Sequence, residues 1–211
     1  MSAAGLPLIL ASASAGRLRL LRQAGFDPEV IVSGVDESST SATDPAELVM
    51  ELALAKASAV AAAVNDGLVI GADSVLDLDG VVLGKPTDID DARQRWAALA
   101  GRSGVLRTGQ AVLLVSDGEI RGTDVAAAAT TVRFGRPSPA ELDAYLRSGE
   151  PVQVAGAFTI DGLGAQFIDS IDGNAGTVIG LSTPLLRVQA ARLGLRLTDL
   201  WRSPIREPRG Q

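Results

Sequence analysis

The sequence predicts an α/β fold on a mixed central sheet flanked by helices. Strand and helix patterns alternate early in the 211 residues, two Asp-Gly hairpin signals occupy the middle, and 46% of the residues are apolar, enough for a sizeable core.

Taken in order, Leu6 to Ala11 reads as a short buried strand, and an amphipathic helix from about Ala15 to Gln23 stops at Gly25. Pro28 to Ser33 reads as a second strand. Asp44 is a helix cap, with Pro45 at the first helical position and Glu47 three residues after the cap, so an Ala-rich helix runs to about Val64. In "GLVIGADSVLDLDGVVLGKP" two apolar runs flank Asp79-Gly80, a hairpin signal. Thr87 or Asp88 starts the next helix, through Arg93 and Trp96 to Gly101. Thr108 to Val115 and Glu119 to Phe134 form a second hairpin about Asp117-Gly118. Ser138, Pro139 and Glu141 repeat the cap pattern for a helix that ends before Gly149. "AGAFTIDGLGAQFIDSIDG" reads as turn-rich strands, and Thr183-Pro184 caps a last helix ending at Gly194. The tail from Trp201 to Gln211 is expected to fray. No repeat or linker composition divides the chain, so residues 1–211 read as one domain.

Composition narrows the chemistry. The net charge of −6 repels nucleic acid and anionic membrane, so a polyanionic ligand must meet a local basic pocket. Without cysteine there are no disulfides, thiolate nucleophiles or Cys metal sites, and without histidine the usual general base near neutral pH is missing. Catalysis then falls to carboxylates, Lys, Arg, hydroxyls or a metal. The longest nearly apolar stretch, Ala57 to Val64, is too short to span a bilayer, and a soluble cytoplasmic protein is the expectation.

Two phosphate-loop imitations fail on spacing. "DGVVLGKPT" places three residues between Gly80 and Gly84 instead of four and has Pro86 where a hydroxyl would be needed; "GLGAQF" lacks a third glycine. The stretch "LASASAGRLRL" is better suited to an oxyanion, since a helix N-terminus offers free N–H groups and Ser12, Ser14 and Gly16 leave the backbone open. Arg17 adds a cationic fork. Taken singly, Ser12 or Ser14 is equally a helix cap and Arg17 a solvated side chain. Asp73 follows an apolar strand in "VIGADSV", where a carboxylate either lines a cleft or closes a turn. Asp36 and Glu37 read as metal ligands or loop residues, and Lys56 and Lys85 as site cations or surface lysines. Together these residues form an inventory for nucleotide chemistry: oxygen ligands for Mg²⁺ or Mn²⁺, with Arg and Lys for phosphates. The same inventory suits a phosphatase.

Four blocks in order, "LASASAGR", "GVDES" with "ELALAKA", "VIGADSVLDLDGVVLGKP", and "AGAFTIDGLGAQFIDSIDG" followed by "VIGLS", resemble the Maf family of nucleoside triphosphate pyrophosphatases, which is related in fold to the inosine triphosphate pyrophosphatases. The resemblance implies an elongated sheet with two lobes around a nucleotide cleft, often as a homodimer. It implies hydrolysis of a nucleoside triphosphate to monophosphate and pyrophosphate with a divalent cation, Mg²⁺, Mn²⁺ or Co²⁺. By motif position it makes Asp73 the base that activates water and Glu37 its partner at the metal. Ser12, Ser14, Arg17, Lys56 and Lys85 fall on the substrate-binding side. A binding-only regulator of cell division is the alternative the family carries.

The departures concern substrate choice. Where the family continues Ser-Pro-Arg-Arg, this chain has Ser14, Ala15, Gly16 and Arg17. Three base-preference positions fall on Gly16, Ser74 and Asp161, whereas the thymidine- and uridine-preferring branch has Arg, Thr and Gln, and the 7-methylguanosine branch has Trp, Gln and Glu. On this reading Gly16 leaves room and Asp161 offers acceptors only, favouring a base edge rich in N–H over that of uracil or thymine.

Overall fold

The computed structural model describes residues 5–37, 40 and 42–202. It opens with β1 (Leu8–Leu10), α1 (Ala15–Gln23), β2 (Glu29–Val30) and α2 (Pro45–Ala61). The long β3 (Gly67–Leu78) turns into β4 (Val81–Leu83), and α3 (Ile89–Leu99) leads to β5 (Ser103–Ser116) and β6 (Glu119–Phe134). Then follow α4 (Pro139–Arg147), β7 (Ile168–Asp172), α5 (Ala175–Ile179) and α6 (Thr183–Arg192). Among the described residues the strands form one seven-stranded sheet in the order β2-β1-β3-β5-β6-β7, with β4 on β3. β1 runs parallel to β2 and β3, and the other pairs are antiparallel, so the sheet is mixed as expected. Among these residues no helix is long and apolar enough to cross a membrane.

The capping chemistry sets the helix starts. Ser14, Asp44, Asp88 and Ser138 each accept a hydrogen bond from a backbone N–H of the first turn, and Ser138 with Glu141 closes a reciprocal capping box. Both hairpins turn on Asp-Gly pairs with positive φ at each residue: 52° and 84° at Asp79 and Gly80, 55° and 73° at Asp117 and Gly118. That backbone twist matches the twist of the paired strands.

Alternation along β3 organises the core. Leu68, Ile70 and Ala72 face α1 and α6 in a cluster with Leu10, Leu21 and Leu186, while Val69 faces α2 with Ala53, Ala57 and Val60. Farther along, Leu76 and Leu78 enter a second cluster with Trp96, Phe134 and Phe158. Asp73 and Ser74 lie on β3 between these two ends. Trp96 anchors the second cluster: its ring meets Phe134 and Tyr145 edge-on at 5.9 Å, and its Nε1 donates to Ala157 O at 2.8 Å. α6 is tied to β5 by a buried amide pair, in which Gln110 Nε2 donates to Gln189 Oε1 at 2.8 Å.

Several sequence expectations change. The second strand shrinks from Pro28–Ser33 to two residues, because Val30 and Val32 are exposed at the sheet edge. α2 ends at Ala61 rather than Val64, and β5 starts at Ser103 rather than Thr108. Ala155–Ala157 and Leu163–Phe167 are short 3-10 turns joined by irregular chain rather than strands, leaving only Ile168–Asp172 in the sheet. α5, capped by Asn174, has no helical signature in the sequence, because five residues are too few to show a helical period. Ser182, not Thr183-Pro184, caps α6. Trp201 packs on Gly25, and Arg202 N donates to Gly25 O at 2.9 Å. The rest of the tail lies outside the described residues.

Candidate active site

Asp73 is a buried carboxylate in the middle of a sheet, directly opposite Gly109 of β5. Two glycines bring α2 down onto this part of the sheet. A Cβ built on Gly71 would stand 2.2 Å from Ala53 O, and one on Gly109 would stand 2.0 Å from Val49 O. Helix backbone therefore rests on strand backbone, and Lys56, one turn along, reaches Asp73. Its Nζ donates to Asp73 Oδ1 and to Glu37 Oε1, each at 2.6 Å. Glu37 comes from the connection between β2 and α2 and its side chain is 62% exposed, against 12% for Asp73. The Lys56 hydrogen bond, joined by the charges of Lys56, Lys85 and Arg17, holds the Glu37 carboxyl below its usual range against the opposing effect of burial. Cations from α1, from α2 and from the segment after β4 thus act on one acidic centre.

Arg17 lies on the opposite side of β3. Its Nε donates to Gly180 O at 2.8 Å, Nη1 to Ser12 Oγ at 3.0 Å and Nη2 to Ser74 Oγ at 3.2 Å. Burial lowers the Arg17 pKa, while the charges of Asp73 and Glu37 work to raise it. Ser74 Oγ and Thr108 Oγ1 are 2.8 Å apart, and Thr108 donates to Thr177 O at 2.7 Å. Arginine can only donate and a carbonyl can only accept, so every hydroxyl between them points one way: Ser74 accepts from Arg17 and donates to Thr108. This chain links α1, β3, β5 and α5.

The structure therefore brings Asp73, Lys56 and Glu37 into direct contact, and joins Arg17, Ser12 and Ser74 in a second cluster behind them. Ser14 caps α1, accepting from Arg17 N at 3.4 Å. Lys85 is exposed after β4, and its charge reaches Glu37. Gly16 does not face open space: a Cβ there would meet Ile179 Cγ2 at 3.3 Å. Asp161, in the turns after α4, forms an ion pair with Arg19 of α1.

Nothing in the sequence singles out Thr108, Thr177, Gly180, Arg19 or Arg95. The first three meet Arg17 or its partners only across 34 to 163 residues of chain, and no local pattern marks them. Nor does any local pattern mark Glu150. Its carboxylate accepts from Thr159 Oγ1 at 2.6 Å, from Leu163 N and Gly164 N at 2.9 Å each and from Tyr145 OH at 3.1 Å, gathering the turns that carry Asp161.

Comparison with known proteins gives a family. The family described as Maf-like protein matches residues 7–192. A protein of Streptomyces coelicolor named nucleoside triphosphate pyrophosphatase is 57% identical over 92% of this chain and 94% of its own length. A Nocardia farcinica protein of the same name is 51% identical over 94% and 98%. A solved Mycobacterium abscessus nucleoside-triphosphatase, titled a dITP/XTP pyrophosphatase, superposes with a TM-score of 0.40 at 12% identity over 89% of this chain and 94% of that one, too slight a likeness to carry an argument. On the extent of the family match and the identity to these relatives, the chain belongs to the Maf-like protein family.

Proposed function

We propose that this chain hydrolyses nucleoside triphosphates between the α and β phosphates, releasing a nucleoside monophosphate and pyrophosphate. Relatives at 57% and 51% identity bear the name nucleoside triphosphate pyrophosphatase, which supports the reaction class. The observation that carries the assignment to residues is the Lys56 ammonium held between the Asp73 and Glu37 carboxylates, a centre that the charge of Arg17 reaches from behind β3 and that of Lys85 from after β4. One carboxylate for water among several cations for phosphate is the arrangement phosphoryl transfer needs.

Lys56 takes Asp73 Oδ1, and no hydrogen bond among the described residues takes Oδ2. On this reading Oδ2 accepts a proton from water as the water oxygen bonds to the α-phosphorus. The bond from that phosphorus to the bridging oxygen breaks, and its electron pair leaves with pyrophosphate. Lys56 orients Asp73, while the charges of Arg17 and Lys85 offset charge on the phosphate oxygens.

Among the described residues no group of three or more His, Cys, Asp or Glu side chains forms a metal cage. Asp73 and Glu37 each give one oxygen to Lys56 Nζ, and as all-oxygen donors they are the residues that would hold a hard divalent cation. When bound, Mg²⁺, Mn²⁺ or Co²⁺ would supply charge neutralisation on the phosphates and a more acidic water.

The test is a triphosphate panel with each cation, reading pyrophosphate against phosphate, on the wild type and Asp73→Asn. The proposal expects pyrophosphate as the product and a loss of roughly 10²- to 10⁴-fold in the variant, as for removal of a general base. Release of phosphate instead, or unchanged turnover by Asp73→Asn, sinks it.

A further inference from the structure

Lys85 differs from the other cations of the site. It is exposed, and it has no carboxylate partner of its own among the described residues. A long flexible side chain with no partner is directed by its backbone, and here the backbone is gripped on both sides. Before Lys85, Gly84 O accepts from Arg95 Nη1 at 2.6 Å and from Gly156 N at 3.0 Å. After it, Thr87 N donates to Asp91 Oδ2 at 2.9 Å. Arg95 and Asp91 then hold each other through two parallel bonds, Nε to Oδ1 at 2.9 Å and Nη2 to Oδ2 at 2.8 Å. Pro86, buried between the two grips, has its φ fixed by its ring.

The simpler account is an ordinary (i, i+4) ion pair on α3, which stiffens a helix by a few tenths of a kcal/mol. That account leaves two things unexplained. The Arg95 side chain is only 15% exposed, and all three of its nitrogens are engaged. The pair's outward contacts, Arg95 to Gly84 O and Asp91 to Thr87 N, both end on the four-residue segment that carries Lys85.

We propose that Asp91 and Arg95 are positioning residues that clamp residues 84–87 so that the Lys85 ammonium is presented to the triphosphate. This rests on the reading of Lys85 as a phosphate contact. A lysine in place of Arg95 keeps the charge but cannot grip a carboxylate with two nitrogens and a carbonyl with the third. Asp91→Asn keeps an acceptor for Thr87 N but loses the paired grip on Arg95.

The experiment is a double-mutant cycle on the full chain: Arg95→Lys and Asp91→Asn, each alone and combined with Lys85→Met, with KM, kcat and the unfolding temperature measured for all. Lys85→Met is expected to raise KM for the triphosphate by roughly 10- to 100-fold, as loss of a charge-assisted hydrogen bond does. Arg95→Lys and Asp91→Asn should each raise KM by roughly 5- to 10-fold with kcat changing less. In the Lys85→Met background either should change KM by less than about twofold, because the clamp acts only through the lysine. If Arg95→Lys does not fold, Asp91→Asn, which leaves the Asp88 cap in place, completes the cycle. Effects that multiply in full in the Lys85→Met background, or single variants with unchanged KM, overturn the positioning role while leaving the reading of Lys85 intact. An unchanged KM in Lys85→Met itself overturns that reading, and the clamp's role with it.

Discussion

Replacing Gly71 with Ala should damage the protein more than any other single added methyl on the α2 face of β3. The new Cβ would stand 2.2 Å from Ala53 O, 2.7 Å from Ala57 N and 2.9 Å from Ala57 Cβ, whereas ordinary contact begins near 3.4 Å. Two of these neighbours are helix backbone, so no side-chain rotation relieves the clash. The helix must retreat by roughly 1 Å, and overpacking of that kind costs about 1–3 kcal/mol. Taking about 3 kcal/mol and about 2–4 °C per kcal/mol for a chain of this size, the unfolding temperature falls by about 6–12 °C. Lys56 immediately precedes Ala57, so the same retreat draws its ammonium away from Asp73, and a misplacement of about 1 Å costs on the order of 10²-fold in rate. Thermal unfolding and pyrophosphate release measure the two effects separately. Gly109→Ala pushes the same helix one turn earlier, so the double variant should fall short of additivity. An unfolding temperature within about 1 °C of wild type, with full activity, would refute the close approach of helix and sheet as what sets the site.

Three further outcomes follow from other contacts. Burial would raise the Glu150 pKa, but hydrogen bonds from Thr159, Leu163, Gly164 and Tyr145 outweigh it and hold the carboxyl below 4.5; its stabilisation is therefore complete above 4.5 and is lost as pH falls through the lower folded value. Glu150→Gln should unfold at a lower temperature than wild type at pH 7, with the gap closing in acid, and a gap that stays constant with pH would contradict this. Trp96→Ala removes the centre of the second cluster and the bond to Ala157 O, and should cost about 3–5 kcal/mol by urea titration; a loss under about 1 kcal/mol would mean that the cluster repacks around the gap. Arg19→Ala frees the Asp161 carboxylate as an acceptor and should move base preference toward guanine and amino pyrimidines, read as kcat/KM ratios across a triphosphate panel; unchanged ratios would remove Asp161 from base selection.

The Arg19 case shows where local reading stops. From sequence, Asp161 offers acceptors alone, but in the fold it shares them with Arg19, and the pair presents donors as well. Ser74 likewise has its hydroxyl oriented by Arg17 and Thr108 rather than left free. Gly16 reads as empty space and instead lies against Ile179. In each case the deciding neighbour is remote in the chain, at 142 residues for Asp161 and Arg19 and 57 for Arg17 and Ser74.

Features that depend on neighbours a few residues away are legible in the chain before it folds. The helix starts at Asp44 and Ser138 follow from cap and proline, the Asp79-Gly80 and Asp117-Gly118 hairpins follow from residues that accept positive φ, and the ordered blocks point to the Maf family. Tertiary structure alone decided that Lys56 lies between Asp73 and Glu37, that Arg17 is anchored to Gly180, and that α2 rests on Gly71 and Gly109. The physical reason is that capping and turn energies act over a few bonds, whereas a buried charge is satisfied by whichever groups packing brings within hydrogen-bond distance.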